Sequence, residues 1–485
     1  MIRKWHWFLV FALLIPLLLI TVAILSNQQT AIDPLDPPDF TPTPAPSDWM
    51  TPGGGEIKYQ ALEPVAKQRV PVQKISLSQT QTSDFIKPTS DGGWLAVTFD
   101  RVDESDHGSQ PQFILHATRF KPDGQISWDR RYDAEPFSGN GVSLCIFADD
   151  SFAVALRATH PGDADMKFED QLVRFGPDGS FRWKTEREAV PAGGLERIFA
   201  CLDGTVLAAG TIDGSGWVGS SQYPRVAAYR INTDGSVAAR YMLSGVGYQA
   251  LIDALYFEGT GLILLSSEET DIESSAGSIW QRHNKITCLT DGVEERWNES
   301  FDTSLIFYDL LAFTKEGGIL ISAAQRPDQQ PTAPARPMLI TIDRDGQEKW
   351  TYWGTPPTWF LSAANLTDGR LIIGQLAQGT SLNPESTIIA FHADNPEPTI
   401  VAVLPGHLTQ LIPTRDGGFT AVVRQSVRQL PQPPYISSIW MDTAAVVAHY
   451  DSAFHLTWRR TIDQYKHDLR LDQIVATADD RLLAG

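Results

Sequence analysis

The chain repeats a strand-rich unit at a nearly fixed period, and that repeat limits its possible folds more than any other feature. An aspartate in a polar turn falls at Asp123, Asp178, Asp234, Asp291, Asp345 and Asp451. The gaps are 55, 56, 57, 54 and 106 residues, the last equal to two periods of 53. The clearest copy pairs SDGGWLAVTF (90–99) with FILHATRFKPDGQISW (113–128). It returns as ADDSFAVAL (148–156) with QLVRFGPDGSFRW (171–183), and as LDGTVLAAG (202–210) with RVAAYRINTDGSV (225–237). Later copies carry KEGGILISA (315–323) and RDGGFTAVV (415–423), while the fourth and sixth copies are weaker. A fixed period of this size, built from short strands, calls for a propeller or an array.

Each unit reads as strand, Asp-Gly turn, strand, long loop, strand, Asp-Gly turn, strand. Asp-Gly marks a hairpin because glycine accepts positive φ at little cost. The expected fold is therefore all-β, a β-propeller of four-stranded antiparallel blades. Seven full units run from 85 to 472, and DQIVATADDRLLAG (472–485) opens an eighth. Residues 57–62 and 72–77 read as two further strands. Seven or eight blades fit, and the sequence favours eight, closed by both chain ends. Trp128, Trp183, Trp297, Trp350 and Trp458 each follow a second turn. Rings that bury about 150–250 Å² each are expected to cement neighbouring blades rather than to hold a ligand.

The pattern DGG, apolar strand, then DxDGxxxW resembles the blades of quinoprotein-like and outer-membrane-assembly-lipoprotein-like propellers. The resemblance covers nearly all of residues 85–472. It implies the architecture and little about activity. Quinoprotein blades carry threonine-glycine before the tryptophan stretch, whereas this chain has Pro-Asp-Gly or a variant there, and no cofactor is expected.

The N-terminus gives the address. Arg3 and Lys4 precede an apolar, uncharged run over 7–25, and no cation follows until Lys58. As a helix at about 1.5 Å per residue, such a run spans a bilayer core. Pro16 inside it is tolerated in a membrane helix, and Trp5 and Trp7 suit the interface. The positive-inside rule leaves 1–6 as a short cytoplasmic tail and places the rest outside. The rival, a cleaved signal peptide, would have a shorter apolar region, and it gives the body the same address. Residues 26–55 then form a tether with Pro34, Pro37, Pro38, Pro42, Pro44, Pro46 and Pro52 before Gly53-Gly54-Gly55. Such a segment cannot bury a core and holds the body at 56–485 off the membrane.

The formal net charge of −19 repels phosphate backbones, so no nucleic-acid partner is expected. Cys145, Cys201 and Cys288 form no CxxC pair and read as buried strand thiols. The GxGxxG match at 214–219 needs a helix after it to bind a dinucleotide, but 225–231 reads as strand. No HExxH or GxSxG occurs, and Asp343-Arg344-Asp345-Gly346 reads as a turn. No catalytic residue, metal ligand or cofactor follows from these residues.

The loops between second and third strands should share one face of the disc. The first carries Asp100, Asp103, Glu104 and Asp106, the candidate binding residues. The second carries Asp163, Asp165, Glu169 and Asp170, and the fourth Glu268, Glu269, Asp271 and Glu273. The fifth and seventh carry Arg326, Arg336, Arg424 and Arg428. Loops on a rigid scaffold are where binding concentrates. The expected function is a membrane-anchored, extracytoplasmic, non-catalytic binding or scaffolding module for an envelope protein or polysaccharide. The alternative is an envelope enzyme of quinoprotein or lyase type with its site in the central channel.

Overall fold

The computed structural model describes residues 81–484 apart from 103–111, 133–140, 160–167, 187–188, 213–222, 275–276, 302–304, 315–316, 326–334, 356–357, 378–383, 393–394, 430–440, 466–473 and 477–481. All of them belong to the second of two compact units, Pro64–Gly485. The anchor expected at 7–25, the tether at 26–55 and the strands expected at 57–62 and 72–77 lie outside the described residues. Among the described residues no helix is long and apolar enough to cross a membrane.

The fold is all-β, with seven four-stranded blades in a ring. Blade 1 is β1 (Gln81–Pro88), β2 (Trp94–Val102), β3 (Gln112–Phe120) and β4 (Ile126–Arg131). Blade 2 is β5 (Gly141–Ile146), β6 (Phe152–Thr159), β7 (Phe168–Phe175) and β8 (Phe181–Lys184). Blade 3 is β9 (Arg197–Ala200), β10 (Val206–Ile212), β11 (Arg225–Ile231) and β12 (Val237–Met242). Blade 4 is β13 (Tyr248–Phe257), β14 (Gly261–Ser274), β15 (Gly277–Leu289) and β16 (Glu295–Phe301). Blade 5 is β17 (Leu305–Phe313), β18 (Ile319–Gln325), β19 (Arg336–Ile342) and β20 (Glu348–Trp353). Blade 6 is β21 (Thr358–Asn365), β22 (Leu371–Ala377), β23 (Glu385–His392) and β24 (Asn395–Pro405). Blade 7 is β25 (His407–Pro413), β26 (Phe419–Gln429), β27 (Met441–Tyr450) and β28 (Leu456–Tyr465). Every blade is an antiparallel meander in chain order. A two-stranded sheet, β29 (Ile474–Ala476) with β30 (Leu482–Ala484), completes the list. Its first strand lies beside both β25 and β1; the ring has seven four-stranded blades, where the sequence favours eight.

The turn aspartates work by a local rule. In the turn after β3, the Lys121 amide donates to the Gln125 carbonyl (2.8 Å) and the Gly124 amide to the Lys121 carbonyl (2.9 Å). The Asp123 carboxylate accepts from the Gln125 amide (2.9 Å), closing an Asx-type turn. Asp178 and Asp234 do the same for Ser180 and Ser236. The residue after each aspartate needs positive φ, which Gly124 (85°), Gly179 (76°) and Gly235 (90°) supply without a Cβ penalty. Two marker aspartates occupy other places. Asp451 is the first residue of its turn, so Phe454 takes the positive φ (67°). After Thr290 the same place falls to Val293 (63°) rather than to a glycine.

The core is a set of apolar layers between blades, not one central mass. Leu95, Val97 and Leu115 of blade 1 pack with Leu144, Phe152 and Val173 of blade 2. The same arrangement joins blades 2 and 3, 3 and 4, 4 and 5, 5 and 6, and 6 and 7. The tryptophans reinforce these seams as expected. Trp128 donates its indole N–H to the Pro177 carbonyl (3.0 Å) of blade 2, and Trp297 to the Arg344 carbonyl (2.8 Å) of blade 5. Trp350 stacks on Phe391 of blade 6 at 5.4 Å. Trp458 differs: it packs inside its own blade on His449, 5.6 Å away.

Candidate binding face

The meander fixes two unlike faces. Turns after first and third strands of each blade share one face. Loops after second strands and the links to the next blade share the other. The first face is occupied by tight, carboxylate-closed turns, so chain variation collects on the second.

Asp100 of the candidate set lies near the end of β2, paired with Gln81 on one side and Ile114 on the other. Asp103, Glu104 and Asp106 lie outside the described residues, as do Asp163, Asp165 and Arg326. Arg336 belongs to β19 and stacks over the Trp353 ring at 4.6 Å.

Two of the acidic residues read as a loop rim are internal supports. Asp170 is a strand residue with a fully buried side chain, and it takes hydrogen bonds from Arg157 Nε (3.1 Å) and the Leu195 amide (2.9 Å). A buried carboxylate without such partners would be costly. It thereby ties the link after blade 2 to its own blade. Glu268 sits in β14, 5 % exposed. It accepts from the Val246 amide (2.8 Å), the Gly247 amide (3.1 Å) and the Lys285 ammonium. Burial alone would raise its carboxyl, but these three donors hold it below the usual range. Sequence alternation alone could not separate these two from true rim residues, because strands β7 and β14 run on past the apolar part of the repeat.

Hydroxyls stitch the inner strands together. Ser143 accepts from the Ile198 amide (3.3 Å), Thr211 from the Leu251 amide (2.9 Å) and Ser362 from the Leu411 amide (3.1 Å), each across a blade boundary. Arg197 and Asp253 pair between the inner strands of blades 3 and 4 (3.1 Å). The Cys145 and Cys288 thiols are pushed up by burial to about 12 and about 11, and Cys201 is raised for the same reason. Thiols held protonated in this way are poor nucleophiles. All three are free.

One set of structural residues escaped the sequence reading. Arg119, Arg174 and Arg230 each stand two residues before the turn that ends the third strand. Arg119 bridges Asp91 of its own blade (3.1 Å) and Asp150 of the next (2.7 Å). Arg174 donates to Ser151 Oγ (2.8 Å) in its own blade and to the Gly204 carbonyl (2.9 Å) in the next. Arg230 holds Asp203 of its own blade and donates to the Asp291 carbonyl (2.9 Å) in the next. The signal was present as a recurring arginine in the third strands ending TRF, VRF and YRI.

The GxGxxG match at 214–219 lies outside the described residues, between β10 and β11. The next described element is the strand β11, which pairs antiparallel with β10. Among the described residues no group of three or more His, Cys, Asp or Glu is placed to hold a metal ion.

No protein-family description matches the chain, and no curated protein matches it. Solved structures of similar fold include the β-propeller domain of the Trilobed protease from Pyrococcus furiosus, at 8% identity and TM-score 0.39, covering 76% of this chain and 94% of that one. An acylaminoacyl peptidase from Pyrococcus horikoshii aligns at 11% identity and TM-score 0.41, over 78% of this chain and 52% of that one. An apocarotenoid oxygenase from Synechocystis aligns at 11% identity and TM-score 0.37, over 80% of this chain and 95% of that one.

Proposed function

We propose that the protein is a non-catalytic binding scaffold, held at the outer face of a membrane by residues 7–25, whose loop face takes a protein or polysaccharide of the cell envelope. One observation carries the reading. Among the described residues, a set of carboxylates and hydroxyls at the blade boundaries is committed to holding the ring and its links together. Asp170, Asp253, Glu268, Ser143 and Ser362 each spend an oxygen on a neighbouring strand or link, and burial holds the three thiols protonated. What is left to vary is the loop face. Fold cannot assign a ligand, since propellers host many functions.

The test is capture of partners from solubilised membranes with the full chain, beside a variant with Asp100, Asp103, Glu104 and Asp106 neutralised. The variant should bind with weaker salt dependence, with its folding checked by circular dichroism. Equal capture by both proteins at every salt concentration would remove the first loop from the binding face. A cofactor absorbance in the purified protein would favour the channel enzyme instead.

A further inference from the structure

Blade 4 carries the longest two-stranded extension among the described residues, which its repeat does not require. Its middle strands are the two longest described, β14 with 14 residues and β15 with 13. Their neighbours stop short. β13 pairs with β14 only as far as Tyr248 opposite Glu269, and β16 with β15 only as far as Phe301 opposite Asn284. β14 and β15 continue alone through Thr270–Gln281, Asp271–Trp280, Ile272–Ile279, Glu273–Ser278 and Ser274–Gly277. At about 3.4 Å per residue this two-stranded arm stands roughly 17 Å beyond the blade on the loop face. Among the described residues nothing pairs with either edge of it.

An unpaired edge is a row of free N–H and C=O groups, which proteins usually shorten or cover. The register says which residues offer them. Ser274 and Gly277 are the outermost described pair, and the Glu269 carbonyl oxygen faces Gly247, on the β13 side. Antiparallel alternation then turns the backbone groups of Ile272 and Thr270 inward, toward β15. Those of Asp271 and Glu273 turn outward, on the side where β13 would have continued. Because β13 is the innermost strand, this edge faces the ring axis.

The foot of the arm is rigid and apolar. Ser244 takes a hydrogen bond from Gln249 Nε2 (3.1 Å), and the Glu268 carboxylate fixes the amides of Val246 and Gly247. Gly247 lies so close that a Cβ there would stand 2.1 Å from the Glu269 carbonyl oxygen. Pinned from beneath, the link leaves Val246 80% exposed, with Tyr248, two residues on, 41% exposed. Two exposed apolar residues on a fixed backbone make a step that a partner can cover.

We propose that the free edge of β14 takes an extended, basic segment of a partner protein as an added strand. The segment starts on the Val246–Tyr248 step and runs outward along Asp271 and Glu273. This deepens the scaffold reading above and rests on it. A peptide backbone matches the alternating donors and acceptors of a strand edge, which a sugar chain does not. Charge selects the sequence. Glu269, Asp271 and Glu273 stand at alternate register positions along this edge. Opposite charges across adjoining strands attract, so lysine or arginine at alternate positions of the added strand is favoured. A second copy of this edge would set carboxylate against carboxylate, which disfavours self-pairing.

The test uses the full chain in detergent and a fluorescent eight-residue peptide of alternating lysine and threonine, read by anisotropy. Two control peptides replace lysine by glutamate, or carry N-methyl groups at alternate amides of one edge. The lysine peptide should bind, the glutamate peptide should not, and N-methylation should weaken binding about tenfold or more, as loss of ladder hydrogen bonds does. Glu273→Pro removes an outward N–H without touching the arm's own ladder, and should weaken binding as N-methylation does. Glu273→Gln should weaken it less and flatten its salt dependence. Equal binding of parent and N-methylated peptides, or normal binding by a folded Glu273→Pro variant, overturns strand addition. If membrane capture still yields a partner indifferent to Glu273→Pro, the scaffold reading survives and only the docking mode is lost.

Discussion

The seams between blades can be tested one contact at a time through the turn glycines. Gly235 has φ of 90°, and a Cβ there would stand 2.8 Å from Trp183 Cε3 and 3.3 Å from the Lys184 carbonyl oxygen. Gly259 has φ of 79°, and a Cβ there would meet nothing within 4 Å. Both replacements by alanine incur the same left-handed backbone cost, about 1–2 kcal/mol. Gly235→Ala must also push a tryptophan or a backbone out of a filled seam, which adds about 1–3 kcal/mol. Equilibrium urea denaturation followed by far-ultraviolet circular dichroism should therefore show Gly259→Ala as mild and Gly235→Ala as roughly twice as damaging. Combining Gly235→Ala with Trp183→Ala removes the obstacle, so the pair should couple by about 1–3 kcal/mol. If Gly235→Ala costs no more than Gly259→Ala, or if the double variant is additive, the forward packing of the tryptophans is not what holds this seam.

Three further outcomes follow from buried groups. Asp170→Asn should destabilise by about 3–5 kcal/mol in the same assay, because it leaves Arg157 charged and half-buried without its partner; a loss below about 1 kcal/mol would show the pair to be dispensable. Glu268 is held below its ordinary value, so its contribution is present above the unfolded carboxyl value of about 4.3 and is lost as pH falls through the folded one. The urea midpoints of the wild type and Glu268→Gln should therefore differ at pH 7 and converge on acidification, and a gap that widens toward acid would refute the assignment. Burial keeps Cys145, Cys201 and Cys288 protonated, so iodoacetamide should label none of them in the native protein at mild alkaline pH and all three in urea, as intact mass would show.

Most of the architecture was legible because it is written locally. An aspartate that closes its own turn, a glycine that tolerates positive φ and a tryptophan beyond them recur at a readable spacing, and each acts within a few residues. Blade number was less legible: the repeat favours eight blades closed by both chain ends, whereas the ring shows seven four-stranded blades, and 472–485 contributes only the two-stranded sheet β29–β30 among the described residues. Direction and depth were not legible. Asp170 and Glu268 look like rim residues in sequence because their burial depends on the links after blades 2 and 3 folding back over them. Glu269, Asp271 and Glu273 read as loop in sequence, yet they continue β14, because a polar run lacks the alternation that marks a strand. The arginines before the third-strand turns carry charge inside apolar words such as TRF, and only the neighbouring blade explains them.

The forward reach of these side chains gives the ring a mechanical polarity. Trp128, Trp297, Arg119, Arg174 and Arg230 each grip the blade that comes next in the chain. A body anchored at one end and loaded at the other would thus behave as a row of clasps in series, each bearing the pull handed on by its predecessor. Under tension it should yield blade by blade, with a sawtooth of similar steps of about one repeat of chain each, instead of a single rupture.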